Sequence, residues 1–386
     1  MLARLSRSIA QAGLISYKCK IINQTLIFPE GIVTNAPIPF IRPLTLGELL
    51  DQAIRLYRRN FAAFIGIIAI PYIPLTLLQT ALSYFSTSSA ASVLQNPGAA
   101  SNPFTLPSGS WLGLLGMIGV GFLHFILVNG IATAAFTRAV ADNYTGQPVD
   151  ILGSYRKLGS SWARLVGAVL LLMLVTFLCV IWLIVPCLGW FTAPGLLFFL
   201  GLVVGPLVAP VVVLERHGIA ASLRRAWDLG RSRFWWLVGF ALILFLLGQL
   251  IVTGPVYIIN AILRALLLDA ANVQDRLIWS TVIQTLVQMI GGLLYLPLQL
   301  AAMTLVYFDL RVRSEGLDLA LQAAADSGAE TNIVALAETS PASTSDILTG
   351  ADAGNFVLIS LGAVALYFLA IFLLFGLSML MFGGLT

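Results

Sequence analysis

An all-α polytopic transmembrane bundle of about seven spans, with amphipathic helices on its cytoplasmic side, is the fold class predicted by three features of the sequence. The first is composition: 59% of the 386 residues are hydrophobic and only 10% are charged, against roughly 25% charged in a soluble domain. The second is a series of charge-free apolar runs between Phe61 and Phe382. Each has about twenty residues or more, enough to cross roughly 30 Å of hydrocarbon as a helix. The third is positive charge, which gathers at alternate connections.

Residues 1–41 read as an N-terminal cytoplasmic tail. They carry Arg4, Arg7, Lys18 and Lys20, no acid before Glu30, and no long apolar stretch of the kind a cleaved secretory signal needs. The same acid-poor composition also suits a mitochondrial presequence. A membrane domain is expected over 42–320. After Pro43, Thr45 and Glu48 have capping-box spacing, and Leu46, Leu49, Leu50, Ala53, Leu56 and Tyr57 recur with helical period. This is an amphipathic helix closed by Arg55, Arg58 and Arg59, and it is expected to lie at the membrane interface.

The first span is expected at 61–84, kinked by Pro71 and Pro74, followed by an uncharged flexible loop over 85–110. Further spans are expected at 111–141, 162–185, 190–214, 234–263 and 277–308. The third and fourth are separated only by Pro186-Cys187-Leu188-Gly189 and must form a tight hairpin. An acidic flexible linker is expected over 321–354, and a C-terminal single span in 355–386, its apolar run at 356–382.

Lys and Arg are enriched in connections retained in the cytoplasm. Of the 21 in the chain, all but Arg264 and Arg276 fall on one side of the alternating pattern. The N-terminus is therefore expected in the cytoplasm and, after seven crossings, the C-terminus outside. An aromatic residue followed five positions later by glycine opens three spans: Phe61 and Gly66, Trp162 and Gly167, Phe234 and Gly239. A basic amphipathic segment precedes each, so the domain reads as three repeats of an interfacial helix and a transmembrane hairpin.

The stretch from Arg42 to Phe61, the segment Ala221-Ser-Leu-Arg-Arg-Ala-Trp-Asp-Leu-Gly230 with Phe234-Trp235, and Tyr307-Phe-Asp-Leu-Arg-Val-Arg-Ser-Glu-Gly-Leu-Asp318 resemble the bacterial glycerophosphoryl diester phosphodiesterase membrane-domain family. The resemblance covers about residues 42–320. It implies the membrane domain alone, because the TIM-barrel hydrolase fused to some members needs about 250 further soluble residues. The final apolar run is an addition to the family's six-span pattern.

No Walker A loop, HExxH or dinucleotide-binding glycine motif is present, and Cys19, Cys179 and Cys187 have neither disulfide nor metal-site spacing. Neither cofactor nor metal is expected, nor nucleic acid as a partner: the net charge of +4 sits at span ends. All acids and lysines lie outside the spans, which argues against a proton-driven pump. His124, inside the second span, reads as a hydrogen-bonded packing residue, and His217 as a loop histidine.

The best polar constellation is a stripe on the sixth span, Thr281, Gln284, Gln288, Tyr295 and Gln299 with Gly292, which is expected to face the bundle as hydrogen-bonding contacts or to line a polar path. Arg55, Arg58, Arg59, Arg224, Arg225, Arg231 and Arg233 are candidate contacts for anionic lipid headgroups of the bilayer. The expectation is a non-enzymatic integral protein of the bacterial cytoplasmic membrane, acting as a scaffold, assembly factor or complex subunit. A membrane protein partner is expected to dock through helix 356–382, around Gly362, Ala363 and Ala365. The alternatives are a passive or lipid-handling transporter and the membrane partner of a separate glycerophosphodiester hydrolase.

Overall fold

Thr45 and Glu48 start the first helix as their spacing predicts. In the computed structural model, which describes residues 43–95, 108–144, 147–215, 217–266, 273–319 and 348–382, Thr45 Oγ1 accepts the Glu48 N–H at 3.4 Å and the Glu48 carboxylate accepts the Thr45 N–H at 2.9 Å. This reciprocal cap begins α1 (Leu46–Arg59), whose apolar face buries Leu49 and Ala53. That face is taken up by the bundle. The N–H of Leu44 donates to Asp309 at 2.8 Å, Arg313 donates to the Leu44 carbonyl at 2.6 Å, and the Tyr57 hydroxyl donates to the Leu294 carbonyl at 3.0 Å. These contacts lay α1 antiparallel along α12 (Val273–Glu315), because the apolar face of α12 continues to Val312 and takes the apolar face of α1 in place of lipid.

The second helix, α2 (Phe61–Gln95), runs through Pro71 and Pro74 and on through 85–95, which the sequence assigns to a loop. Ser and Ala there are compatible with a helix; the first Pro-Gly pair is at 97–98. Pro71 has no N–H for the carbonyl of Ile67. That carbonyl instead accepts the Tyr155 hydroxyl at 2.6 Å, tying α2 to α5 (Ile151–Arg156). Burial pushes the Tyr155 pKa up to about 12, so the phenol stays protonated as a donor.

The remaining helices form long rods. One comprises α3 (Ser108–His124), a π-helical segment Phe125–Ala132 and α4 (Thr133–Tyr144). After α6 (Ser161–Trp182), another comprises α7 (Leu188–Phe199), a π segment Leu200–Val204 and α8 (Gly205–Glu215). Beyond α9 (Ile219–Ser232), the third comprises α10 (Phe234–Gly248), a π segment Gln249–Thr253 and α11 (Gly254–Leu266), followed by α12 and α13 (Gly350–Phe382). Gly205-Pro206 and Gly254-Pro255 end two of the π segments. Each proline lacks a donor and crowds the carbonyl four residues back, and the preceding glycine N–H bonds five residues back instead, to Leu200 or Gln249.

Among the described residues every regular element is helical, and six helices are long and apolar enough to cross a membrane. The protein is a multi-pass membrane bundle, in which α13 supplies the helix expected for the seventh apolar run. Helices α4, α8 and α12 pack pairwise as an inner triad, brought together by small or branched residues such as Ala134, Ala135, Val208, Val212, Ala301 and Ala302, all buried.

Around this triad the amphipathic helices follow a cyclic rule. Helix α5 covers α4, α9 covers α8, and α1 closes the circle on α12. The tip of Ile151, first residue of α5, sits where a Cβ on Gly66 would be, and Ile219, first residue of α9, does the same at Gly167. Leu46–Phe61 and Ile219–Phe234 align without a gap, with Ala53 and Ala226 both buried.

A buried acid lies in the last two turns of each inner helix: Asp142, Glu215 and Asp309. Asp142 pairs with Arg138 at 3.2 Å and with Lys157 at 2.7 Å. Glu215 accepts from Tyr307 at 2.9 Å and from Arg225 at 3.2 Å, and Arg225 and Arg311 share Glu315. Asp309 holds Leu44 and pairs with Arg313 at 2.8 Å. Charge is thereby fastened where α5, α9 and α1 meet α4, α8 and α12.

α13 starts at Gly350, inside the expected linker, because Thr349 and Asp352 form a capping box of their own. It packs along α7. Asp352 pairs with Arg231 at 3.2 Å, Phe356 enters a cluster with Phe199, Trp227 and Phe234, and Ser360 accepts the Gly195 N–H at 2.8 Å. Its first turns are thus held by this chain with an ion pair, whereas Gly362, Ala363 and Ala365 are exposed. The tail 1–41 and most of the linker lie outside the described residues.

Candidate functional site

Beyond the tightly packed part of the triad, the inner helices enclose a cavity of about 540 Å3. Its walls come from Ile68 of α2, from α6, from the π segments Phe125–Ala132 and Leu200–Val204 with the helix starts that follow them, and from Leu296 to Leu300 of α12. A π segment inserts an extra residue per turn and turns side chains out of the regular register, a feature common at functional sites. Here it places Asn129 and Gly201 on the cavity and leaves both exposed. Met173 and Phe177 also line it and are 46% and 60% exposed, so the cavity opens sideways through the apolar face of the bundle.

Its polar lining consists of Asn129, Thr133, Thr176 and Gln299. The Thr133 and Thr176 hydroxyls donate to the carbonyls of Val128 and Leu172, each at 2.9 Å. That leaves the amides of Asn129 and Gln299 facing an otherwise apolar wall. No ionisable side chain lines the cavity among the described residues. About one helical turn away, Tyr72 meets the edge of His124 at a ring separation of 5.5 Å, and the Tyr72 hydroxyl occupies the space over Gly292. His124 Nδ1 is buried without a hydrogen-bond partner among the described residues, unlike the hydrogen-bonded histidine expected.

The predicted stripe on α12 divides among several neighbours. Gln284 donates to Asn260 of α11 at 2.6 Å, and Tyr295 is buried over Gly248, donating to the Leu244 carbonyl at 2.6 Å. Thr281 is half-buried, its carbonyl taking the Thr285 hydroxyl at 2.8 Å. Gln299 reaches the cavity. Gln288 is exposed, contrary to expectation. It falls at a seam: Gln284 and Gly291 face α11 and its π segment, Gly292 faces Tyr72 of α2, and Gln288 projects between the two.

The candidate headgroup arginines also separate. Arg55, Arg58 and Arg59 are exposed on α1, Arg55 beside Asp51. Arg225 is buried between Glu215 and Glu315 and is not placed to meet lipid. Arg224 pairs with Asp228 at 3.3 Å, and Arg231 pairs with Asp228 at 3.4 Å and with Asp352. Arg233 lies over the Trp236 ring at 5.3 Å. A basic amphipathic segment has the same sequence signature whether its arginines meet phosphate or carboxylate, so the partners had to come from the fold. Asn129, Thr133 and Thr176 were not singled out by the sequence, although a lone Asn within a span was a usable signal.

Comparison of the chain with family models, with curated proteins and with solved structures gives no match.

Proposed function

We propose that the protein is a non-enzymatic membrane protein that holds a lipid-like molecule inside its helical bundle, with its N-terminus and charged end in the bacterial cytoplasm and its C-terminus outside. The laterally open cavity carries this reading. Its volume lies within the roughly 300–1,000 Å3 of small-molecule sites, which are mostly apolar with a few placed polar groups. In a membrane, the molecules that reach such an opening sideways are lipids.

The test is native mass spectrometry of protein purified in mild detergent, comparing wild type with Gly201→Leu. A Cβ at Gly201 meets nothing within 4 Å and Gly201 lines the cavity, so the variant sets a branched apolar side chain at the cavity wall with room for its first carbon. Wild type is expected to retain a lipid that the variant loses. Equal retention by both defeats the reading.

A second reading, as scaffold or subunit of a membrane complex, is favoured by the outer part of α13, where Leu361, Val364, Leu366, Phe368 and Leu369 are exposed. Under the family resemblance of 42–320, the partner would be a separate glycerophosphodiester hydrolase. Recovery of a stoichiometric partner that depends on α13 supports this reading; purification of the chain alone from native membranes counts against it.

A further inference from the structure

The chemistry of the cavity wall narrows the ligand class, given the lipid-holding reading on which this step rests. Two amides, Asn129 and Gln299, are the polar groups there without a hydrogen bond among the described residues. A primary amide offers both donors and an acceptor, which suits a hydroxyl or an ester. It offers no formal charge. The buried acids Glu215 and Asp309 lie ten residues beyond Gly205 and Gln299 along their helices, roughly 15 Å at 1.5 Å per residue, and both have cationic partners. A phosphate or carboxylate in the cavity would therefore lose water without gaining a counter-charge, a loss that polar contacts alone do not restore.

We propose that the cavity binds an uncharged lipid, a chain with a hydroxyl- or ester-bearing head of the monoacylglycerol kind, and discriminates against anionic lipids of the same chain length. The chain lies against Val169, Leu172, Phe177, Leu296 and Leu300, and the head bonds to Asn129 and Gln299. The exposed edge at Met173 and Phe177 admits it from the bilayer core.

The experiment measures binding of radiolabelled 1-monooleoylglycerol to the purified full chain in a non-ionic detergent, in competition with unlabelled 1-monooleoylglycerol, oleate and oleoyl lysophosphatidylglycerol. The expected result is competition at least tenfold weaker by both anionic lipids. Asn129→Leu with Gln299→Leu is expected to weaken monooleoylglycerol binding at least fivefold with an unchanged melting temperature, since neither side chain holds another part of the fold. Equal competition by all three lipids overturns the proposal and leaves the lipid-holding reading in place. Absence of binding by any of them, with Gly201→Leu retaining the same lipids as wild type, overturns both. If the double variant fails to fold, the competition series on wild type decides alone.

Discussion

Removing the carboxylate of Glu215 should be among the most damaging single changes in the protein. Its side chain is fully buried, accepts the Tyr307 hydroxyl at 2.9 Å and Arg225 Nε at 3.2 Å, and lies 3.3 Å from His217 and 3.9 Å from Arg311. Glu215→Leu leaves Arg225 and Arg311 sharing Glu315 as their carboxylate and takes the acceptor from a buried phenol. Replacing a whole buried ion pair by apolar groups is often neutral, but deleting one partner typically costs about 3–5 kcal/mol, because the other charge stays buried. At about 2 °C per kcal/mol for a chain of this size, the midpoint of thermal unfolding in detergent should fall by roughly 6–10 °C. Glu215→Gln, which keeps an acceptor for Tyr307, should fall by less. The control is Asp51→Asn on the exposed face of α1, where the partners are 68% and 63% exposed and at most about 1 kcal/mol is at stake. A Glu215→Leu midpoint no lower than that of the control would refute the view that these buried ion pairs hold the amphipathic helices to the inner triad.

Three further outcomes are expected. Cys187 sits at φ 63° and ψ −67° in a γ-turn closed by the Leu188 N–H and the Pro186 carbonyl at 2.8 Å, so Cys187→Gly should raise stability by about 1 kcal/mol, read as a higher unfolding midpoint. A Cβ at Gly195 would lie 2.1 Å from the Phe356 carbonyl oxygen. Gly195→Ala should therefore push α13 off α7 and speed hydrogen exchange in the first turns of α13, with α12 unaffected. Burial opposes ionisation of Asp352, but the Thr349 hydroxyl and N–H and the Arg231 guanidinium outweigh it and hold its carboxyl below the usual range. Its contribution to docking α13 is complete above the ordinary carboxylate pKa of about 4 and is lost as pH falls through the lower folded value. Exchange protection of those turns, corrected for intrinsic rates, should be flat near neutrality and drop only in strong acid, and a loss of protection centred near neutral pH would contradict this.

The spans, the α1 cap and the tight Pro186 hairpin were legible because each depends on a few neighbouring residues: an apolar run, a Thr-Glu spacing, a turn too short for any other path. The packing partner of α1 was not. Leu44 and Asp309 are 265 residues apart, and an amphipathic helix looks the same whether its partner is lipid or another helix. Arg225 resembled a lipid contact for the same reason, since the acids that bury it arrive from α8 and α12. The stripe on α12 was legible as a direction but not as a set of partners: Gln284 and Gln288 are one turn apart, yet α11 reaches only the first. The cavity depends on two π segments, and the Gly-Pro pair at 205–206 was a local sign of one of them.

The most direct test of a lipid held within the bundle is photo-crosslinking in membranes with a monoacylglycerol carrying a diazirine midway along its chain, followed by mapping of the adducts by peptide mass spectrometry. Adducts are expected to concentrate on cavity residues such as Met173, Phe177, Leu296 and Leu300, and to disappear in Gly201→Leu. Labelling spread instead over outward-facing residues such as Leu115, Ile118, Leu246 and Leu250, unchanged by Gly201→Leu, would contradict it.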